Sequence, residues 1–331
     1  MRQVLVTDFA WKDLTIEADI LRRAGADLVV ARTGSEAELQ KFAPKADGIL
    51  TCWKTVSSDV IRRAERCVSI GRFGIGLDNI AVSCATEEGI VVTNVPAYCV
   101  DEVSDHAMAL LLSCARKTAF YDRNIKSGSY NLQAGTPLYR LRGKTLGIVG
   151  FGKIGRSLSS KARAFGLHVL AHDHHAKPAS MAEANVEAVS FQVLLQRSDF
   201  ISIHVPLSSE TSRLFGDEAF RTMKPTAFIV NTSRGDVIDA KALLAALREG
   251  LIAGAGLDVL SEEPPPADDP LIRHPNIVVT PHAAFNSEES LRELRESAAN
   301  QMADVLTGRR PQNIVNPEVL QKPQLRWRVS T

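Results

Sequence analysis

The sequence predicts an α/β protein with two doubly wound parallel sheets, the second domain inserted into the first. Apolar, β-rich runs alternate with segments of helical spacing, and this alternation starts twice along the chain. A glycine-rich turn marks the second start, and 331 residues are enough for two domains that each bury a core. Such alternation is typical of parallel sheets covered by helices.

Composition excludes several classes of function. Hydrophobic residues make up 45% and charged residues 23% of the chain, and the net charge of +1 lacks the basic excess needed to bind nucleic acid by charge alone. The amino terminus has no signal-peptide pattern, and the longest apolar run, 107–112, is too short to span a bilayer. We therefore expect a cytoplasmic protein without nucleic-acid or membrane partners.

The cysteines indicate reduced thiols. All five lie within the first 114 residues, and they form no C-x-x-C pair. A catalytic thiol is the alternative, but their apolar neighbours favour buried, inert side chains.

The first part of the chain predicts a five-stranded parallel sheet. Its strands are expected at Val4–Thr7, Leu28–Ala31, Gly48–Thr51, Val68–Gly71 and Ile90–Thr93. One long helix should follow, capped by Asp101 and ended by Gly128, and a helix of that length can bridge two domains.

Six strands and a final helix are predicted beyond residue 145. The strands are expected at Leu146–Gly150, His168–His172, Phe200–His204, Ala227–Asn231, Gly254–Asp258 and Ile277–Thr280. From about Ser287 an amphipathic helix and a proline-containing tail should pack back on the first domain. We therefore predict one domain from residues 1–100 plus 287–331 and a second from residues 101–286.

The turn after the first of these six strands carries a dinucleotide motif. In LGIVGFGKIG, Gly150 permits a tight turn, Gly152 leaves room for a pyrophosphate and Gly155 lets helix pack on strand. Asp173 ends the next strand, where a carboxylate binds the ribose hydroxyls and repels a 2'-phosphate. The motif predicts a Rossmann domain that binds NAD, with NADP disfavoured. The alternative is an ordinary turn followed by a solvated aspartate.

Histidines beside Asp173 raise the question of a metal. His174 and His175 complete an H-D-H-H cluster in a predicted exposed loop, but the sequence has no further candidate ligands at a spacing typical of metal sites. No metal site is predicted.

Several polar residues follow predicted strand ends, where ligands of such sheets bind. Hydride exchange with a carbonyl needs a proton donor, a cation and a tether for the nicotinamide, roles that suit His282, Arg234 and Asp258 respectively. A carboxylate such as Glu263 would favour the charged form of the imidazole. Each residue alone has a structural alternative: Arg234 and Glu263 as surface ions, Asp258 as a helix cap and His282 as a buried histidine. Because all four follow a nucleotide-binding motif, the combination favours catalysis.

With these motifs, the chain resembles the D-isomer-specific 2-hydroxyacid dehydrogenase family over essentially its full length. The resemblance implies a Rossmann domain inserted into a discontinuous flavodoxin-like substrate domain, an active site in the cleft between them, and a homodimer built largely through the nucleotide domains. It implies that Arg234, Glu263 and His282 are catalytic.

The resemblance also implies binding positions. Cofactor positions are Gly150, Gly152, Lys153, Ile154, Gly155, Asp173, His204, Val205, Pro206, Thr211, Thr232, Ser233, Arg234, Asp258 and His282. Substrate positions are Trp53, Lys54, Arg72, Gly74, Ile75, Gly76, Arg234, His282 and Phe285. The turn from Arg72 to Gly76 matches the loop whose amides hold the substrate carboxylate.

Within the family, VDEVSDHA and TPHAAFNSEESLRELRESA look most like the C-terminal-binding-protein branch and its bacterial relatives. AHDHH lacks the proline that often follows the aspartate, and TCWKT replaces the Arg-Ser loop of phosphoglycerate dehydrogenases. No serine-sensing domain follows residue 331, which argues against the long phosphoglycerate dehydrogenases, and the TCWKT loop leaves phosphoglycerate itself in doubt as a substrate.

The resemblance places Trp53, Lys54, Tyr98 and Phe285 near the pocket mouth. Trp53 and Phe285 are expected to form an apolar wall for the 2-oxoacid side chain, and Lys54 to attract a second anionic group. The alternative is that the aromatic pair belongs to the core and that Lys54 is solvated.

The predicted function is thus an NAD(H)-dependent 2-oxoacid reductase of the glyoxylate/hydroxypyruvate reductase type, producing D-2-hydroxyacids. Two alternatives stay open: an NAD(H)-sensing, corepressor-like interaction protein, and a formate-type dehydrogenase.

Overall fold

A computed structural model describes residues 1–328. The chain divides into two compact units, unit 1 formed by Met1–Tyr98 and the segment from Ser287 onward, and unit 2 formed by Cys99–Asn286. Each unit contains one parallel sheet, of five strands in unit 1 and seven in unit 2. The predicted class, two doubly wound parallel-sheet domains, is confirmed.

The elements alternate as the sequence pattern predicts. The strands are β1 (Arg2–Val6), β2 (Ala26–Val30), β3 (Gly48–Thr51), β4 (Ser69–Arg72), β5 (Val91–Thr93), β6 (Thr145–Val149), β7 (His168–His172), β8 (Glu187–Ala188), β9 (Phe200–Ile203), β10 (Phe228–Asn231), β11 (Gly254–Leu257) and β12 (Ile277–Val279). The α-helices are α1 (Thr15–Arg23), α2 (Glu36–Phe42), α3 (Ser58–Arg63), α4 (Val82–Glu87), α5 (Val100–Arg116), α6 (Thr118–Lys126), α7 (Lys153–Ala164), α8 (Pro178–Glu183), α9 (Phe191–Arg197), α10 (Asp217–Thr222), α11 (Ala240–Glu249) and α12 (Glu288–Leu306).

The sheet of unit 1 has the strand order β2-β1-β3-β4-β5, which is the flavodoxin-like order. Helix α12 packs against α1 and the strand β4. Its start is fixed by a capping box in which the Ser287 hydroxyl accepts from the Ser290 amide and Ser290 bonds back to the Ser287 amide. Leu294, Ala298 and Met302 form its buried face.

The segment after α12 covers the edge strand β5. Val315 donates its amide to the carbonyl of Val92, and the Asn316 side chain accepts from the Val92 amide and donates to the carbonyl of Ile90. Asn316 is 1% exposed. The tail therefore satisfies backbone groups that an uncovered sheet edge would leave open.

The sheet of unit 2 has the order β12-β11-β10-β9-β6-β7-β8. This is the Rossmann order extended by one strand on the β12 side. The sequence predicts six strands here, and the structure adds β8, Glu187–Ala188. Two exposed residues are too short a run to produce a strand pattern, so this strand was missed.

The predicted single helix from Asp101 to Gly128 is wrong. Helix α5 has Cys99 as its N-cap, so Asp101 lies in the first turn, and Lys117 interrupts the helix with a left-handed φ of 52°. Helix α6 then continues to Lys126 without a buried residue. The break falls where the buried face of α5 ends, so packing no longer favours one straight helix.

Within residues 1–328, no helix has both the length and the apolar character needed to cross a bilayer.

Candidate active site

The predicted cofactor and catalytic residues of unit 2 follow the carboxyl ends of its strands. Gly150 follows β6, Asp173 follows β7, Arg234 lies just beyond β10, Asp258 follows β11 and His282 lies beyond β12. Because these strands are parallel, their carboxyl ends share one edge of the sheet. Residues that are far apart in the sequence are therefore brought to one edge.

The glycine turn joins β6 to α7 as the motif requires. Gly150 has a φ of 97°, and a Cβ there would lie 2.7 Å from the backbone carbon and oxygen of His204. A Cβ on Gly155 would lie 2.3 Å from the Gly150 oxygen, whereas one on Gly152 would meet no heavy atom within 4 Å. Gly152 is the N-cap of α7, followed by exposed Lys153 and half-buried Ile154. The open space at the helix start fits a pyrophosphate.

Asp173 is held by backbone amides. One carboxylate oxygen accepts from the Phe151 amide at 2.6 Å, and the other accepts from the amides of His175 and Ala176 at 2.7 and 2.9 Å. Partial burial works against ionisation, but the three amides together lower the pKa of Asp173 below its ordinary value. The carboxylate is thus charged near neutrality.

The segment after β9 forms a compact loop. His204 donates its amide to the Val149 carbonyl, and its imidazole lies 2.9 Å from the Ser202 hydroxyl. The Thr211 hydroxyl donates to the Pro206 carbonyl at 2.6 Å. Val205 is half-buried and Pro206 is exposed. Burial lowers the pKa of His204 to about 4, so this ring is neutral at physiological pH.

Asn231 organises the turn that carries Arg234. Its side-chain oxygen accepts from the amide and hydroxyl of Ser233, and its amide group donates to the Arg234 carbonyl at 2.8 Å. The Thr232 hydroxyl is buried without a hydrogen-bond partner in the part of the chain that the structure describes. Arg234 donates to the Ser233 carbonyl at 2.8 Å.

His282 and Glu263 form a hydrogen-bonded pair. His282 Nδ1 lies 2.7 Å from Glu263 Oε2, and the other Glu263 oxygen accepts from the Leu260 amide at 2.8 Å. Although partial burial opposes ionisation, the contact with His282 lowers the pKa of Glu263. The Leu260 amide and the Arg234 charge lower it further. The pair thus combines an ionised carboxylate with an imidazole of fixed orientation.

The loop that carries His282 is anchored on Asp258. The Asp258 carboxylate accepts from the Ala283 and Ala284 amides, each at 2.9 Å, and its carbonyl accepts from the His282 amide. His282 has a left-handed φ of 53°, which is uncommon for a residue with a side chain. Phe285 packs edge-on against the His282 ring, with centroids 6.3 Å apart.

In unit 1, hydrogen bonds within the unit fix the predicted substrate turn after β4. Arg72 is 7% exposed, donates to the Asn79 side chain at 3.2 Å and also bonds the Phe73 carbonyl. The Ile75 carbonyl accepts from the Asn94 side chain, and the Gly74 carbonyl accepts from the Val95 amide. Gly76 is half-buried in the same turn.

The neighbouring loop, 52–54, is organised by an aspartate that the sequence did not single out. The Asp8 carboxylate accepts from three successive amides, those of Cys52, Trp53 and Lys54, at 2.8–3.2 Å. Trp53 is 47% exposed, so it is not a core residue. Lys54 is exposed and Tyr98 is buried. A carboxylate directly after a first strand was the available signal for Asp8.

All five cysteines are free and buried, which confirms the prediction of buried thiols. Burial raises the pKa of Cys52, Cys67 and Cys114 to about 12. Among residues 1–328, no group of three or more His, Cys, Asp or Glu side chains is arranged to hold a metal ion. His174 makes an edge-on ring contact with His172.

Comparison with known proteins identifies the family. Residues 108–284, more than half of the chain, match the model described as D-isomer specific 2-hydroxyacid dehydrogenase, NAD binding domain. The chain belongs to the D-isomer specific 2-hydroxyacid dehydrogenase family. It is accordingly an NAD-dependent oxidoreductase acting on the CH–OH group of donors.

Relatives of this dehydrogenase support the assignment. It is 42% identical to the glyoxylate reductase of Korarchaeum cryptofilum, over 80% of this chain and 81% of that protein. It is 38% identical to the D-3-phosphoglycerate dehydrogenase of Methanocaldococcus jannaschii, over 96% of this chain but only 60% of that protein. The crystal structure of the Aquifex aeolicus D-lactate dehydrogenase with NAD and lactic acid matches with a TM-score of 0.85 and 26% identity, over 93% of this chain and 96% of that chain. These relatives do not distinguish the C-terminal-binding-protein branch, which stays a prediction.

Proposed function

We propose that this dehydrogenase reduces small 2-oxoacids to D-2-hydroxyacids with NADH, His282 acting as general acid and, in the reverse direction, as general base. The observation that supports this most directly is the 2.7 Å contact between His282 Nδ1 and Glu263 Oε2. A carboxylate on Nδ1 orients the ring, so that Nε2 exchanges the proton with the substrate oxygen.

Arg234 orients and polarises the substrate. An arginine guanidinium offers a charged, planar fork that fits a carboxylate. Asn231 fixes the Arg234 backbone through the bond to its carbonyl. Bound NADH supplies the hydride that adds to C2 of the 2-oxoacid. The proton that completes the hydroxyl group comes from His282, so one hydride and one proton are consumed per turnover.

Unit 2 is the proposed NAD domain and unit 1 the proposed substrate domain, with boundaries near residues 100 and 287. The predicted cofactor positions after β6, β7, β9, β10 and β11 would hold the dinucleotide, beginning with the open space at Gly152. In unit 1, the amides of Gly74, Ile75 and Gly76 would hold the substrate carboxylate, with Arg72 supporting their turn.

Asp173 would select NAD over NADP. Its ionised carboxylate accepts hydrogen bonds from the ribose hydroxyls and repels a 2'-phosphate. The isosteric variant Asp173→Asn removes the charge and keeps most of the shape. We expect it to reduce the ratio of kcat/KM for NADH over NADPH at least about tenfold, corresponding to about 1.4 kcal/mol. An unchanged ratio would remove Asp173 from the account of cofactor choice.

Trp53 and Phe285 would form the apolar wall for the side chain of the 2-oxoacid, and Lys54 would attract a second anionic group. The exposure of Trp53, 47%, supports this role over a place in the core. Trp53→Ala should change the order of kcat/KM among 2-oxoacids of different size, with Phe165→Ala, a change at an exposed aromatic residue outside the proposed site and the proposed dimer surface, as control. The same order in both variants would exclude Trp53 as a specificity residue.

A homodimer is also proposed, built largely through unit 2. The segment of unit 2 from α6 to β6 exposes large apolar side chains: Ile125 (50%), Tyr130 (94%), Leu132 (74%) and Tyr139 (50%). Exposed apolar side chains in such number are typical of an interaction surface. Sedimentation of the wild-type protein should give twice the mass of one chain, and the Leu132→Asp variant should have a mass closer to that of a single chain. A monomeric wild-type protein would contradict this proposal.

The proposed compartment is the cytoplasm, and the proposed partners exclude nucleic acids and membranes. Five free thiols fit a reducing compartment, and a net charge of +1 gives no electrostatic attraction for nucleic acid.

Oxidation of NADH by the purified protein tests the main proposal. The panel is glyoxylate, hydroxypyruvate, pyruvate, phenylpyruvate and 4-methylthio-2-oxobutyrate, with formate plus NAD as a separate arm and His282→Ala as control. We expect the wild-type protein to turn over at least one 2-oxoacid and the His282→Ala variant to turn over none. Activity on formate but on no 2-oxoacid would select the formate-type alternative. Tight NADH binding without any turnover would select the corepressor-like alternative.

A further inference from the structure

The catalytic loop depends on one buried carboxylate. Asp258 is 1% exposed and accepts from the amides of Ala283 and Ala284, while its backbone carbonyl accepts from the His282 amide. These bonds surround the left-handed backbone of His282, a conformation that costs about 1–3 kcal/mol for a residue with a side chain. Asp258 can compensate for that strain only while its own carboxylate is fixed in place.

A second residue of the loop reaches the same carboxylate. Thr280 Oγ1 donates to Asp258 Oδ1 at 2.5 Å. His106 Nε2, on α5, lies 2.8 Å from Thr280 Oγ1 and 3.4 Å from Asp258 Oδ1. A threonine hydroxyl has one proton, and here it points to Asp258. His106 must therefore donate from Nε2, which makes a directed chain from His106 through Thr280 to Asp258.

The helix that carries His106 is itself fixed to the strand that carries Asp258. Helix α5 packs directly on β10 and β11. Gly256, two residues before Asp258, lets the helix approach so closely that a Cβ there would lie 3.0 Å from the Cβ of Leu110. Leu110 is one turn beyond His106 on α5. The donor of the chain thus sits on a rigid element at a fixed distance from its acceptor.

We infer that His106 is a positioning residue for the proposed reaction: through Thr280 it fixes the Asp258 carboxylate and hence the backbone of His282. This inference rests on the proposed function. His106 acts on the geometry of the catalytic base and acid, so its loss should lower kcat more than it changes the KM for the 2-oxoacid.

Three variants in one assay test the kinetic side. His106→Leu removes the donor, His106→Gln places an N–H group at a similar distance, and His168→Leu makes the same change at an exposed histidine at the start of β7. We expect His106→Leu to lower kcat about 10- to 100-fold, the range of a hydrogen bond linked to a charged group. His106→Gln should recover most of that loss, and His168→Leu should match the wild type.

Thr280 supplies a coupled test. Thr280→Val removes the hydroxyl and Thr280→Ser retains it. If the chain is continuous, His106→Leu has little additional effect on kcat in the Thr280→Val background, whereas independent residues would give losses that multiply. Three results would each overturn the inference. The first is a twofold or smaller effect of His106→Leu on kcat, and the second is a double variant in which the losses of His106→Leu and Thr280→Val multiply. The third is a folded His106→Gln variant that does not recover activity.

A readout independent of turnover separates this inference from the proposed function. Nitrogen NMR should find His106 protonated at Nε2, and hydrogen exchange at the Ala283 and Ala284 amides should be faster in His106→Leu than in His168→Leu. Protonation at Nδ1 alone, or unchanged exchange, would refute the chain even in an active enzyme. Absence of wild-type turnover with these signatures intact would refute the proposed function and leave the positioning chain standing.

Discussion

A pair of glycine substitutions in the nucleotide turn separates the stability of the turn from its ligand binding. Gly150 has a φ of 97°, and a Cβ there would lie 2.7 Å from the His204 carbon and oxygen and 2.9 Å from the Val205 nitrogen. These are backbone atoms, which cannot rotate away. Gly152 has a φ of −75° and no heavy atom within 4 Å of its would-be Cβ. The same added methyl group thus meets two opposite environments.

The expected cost at Gly150 has two parts. A side chain in a left-handed conformation costs about 1–2 kcal/mol, and overpacking against rigid neighbours costs about 1–3 kcal/mol. Gly150→Ala should therefore destabilise unit 2 by about 2–5 kcal/mol and lower its Tm by about 5–15 °C. Gly152→Ala should leave Tm within about 2 °C, because about 0.5 kcal/mol is the usual limit for a surface substitution. It should still weaken NADH binding at least about tenfold, since its methyl group would occupy the pyrophosphate path.

Calorimetry and circular dichroism are the appropriate stability assays. All three tryptophans, Trp11, Trp53 and Trp327, lie in unit 1, so their fluorescence does not follow the unfolding of unit 2. NADH emission reports the dissociation constant directly. Equal Tm values for the two variants would refute the steric reasoning, and wild-type NADH affinity in Gly152→Ala would refute the placement of the pyrophosphate.

Three further predictions concern charge and burial. Glu263→Gln should lower kcat about tenfold at pH 7, because a charge-assisted hydrogen bond contributes about 1.5–3 kcal/mol and partial exposure reduces that value; a rate within twofold of the wild type would contradict the role of Glu263. In the native protein, Cys52, Cys67 and Cys114 should react with a thiol reagent at pH 8 only on the timescale of unfolding, because burial raises the pKa of each of these thiols to about 12; fast reaction at any of the three would refute it. Because burial lowers the pKa of His204 to about 4, the unfolded chain binds the extra proton between about pH 6.5 and 4, and stability should fall by about 3 kcal/mol as the pH drops through that window. Denaturant titrations should find a smaller fall in His204→Gln, and an equal fall would exclude His204 as its source.

The sequence predicted those parts of the fold that depend on local pattern. Alternating apolar runs gave both sheets, and the glycine spacing identified the turn at Gly150. The break at Lys117 was missed, because no glycine or proline marks it and the left-handed residue is a lysine. Helix propensity alone does not indicate at which residue the buried face of a helix ends.

The candidate site divides in the same way. Residue type and order pointed to Arg234, Glu263 and His282, since few other side chains can supply a cation and a proton donor. Supporting contacts were not predictable: His106 and Thr280 are separated by 174 positions, and only the packing of α5 on the sheet brings them together. Asp8 was missed for a related reason: its position after the first predicted strand was visible, but its three partners are backbone amides, which residue types do not identify.

The tail that covers β5 has a consequence for biosynthesis. Unit 2 is continuous in sequence, so it can fold as soon as it has left the ribosome. Unit 1 begins first but cannot complete its sheet edge until Asn316 is made, because that residue bonds the backbone of Ile90 and Val92. At about 5–20 residues per second, the nascent strands wait on the order of ten seconds or more for their last partner. During translation, the edge of β5 thus stays exposed until the segment around Asn316 has been made.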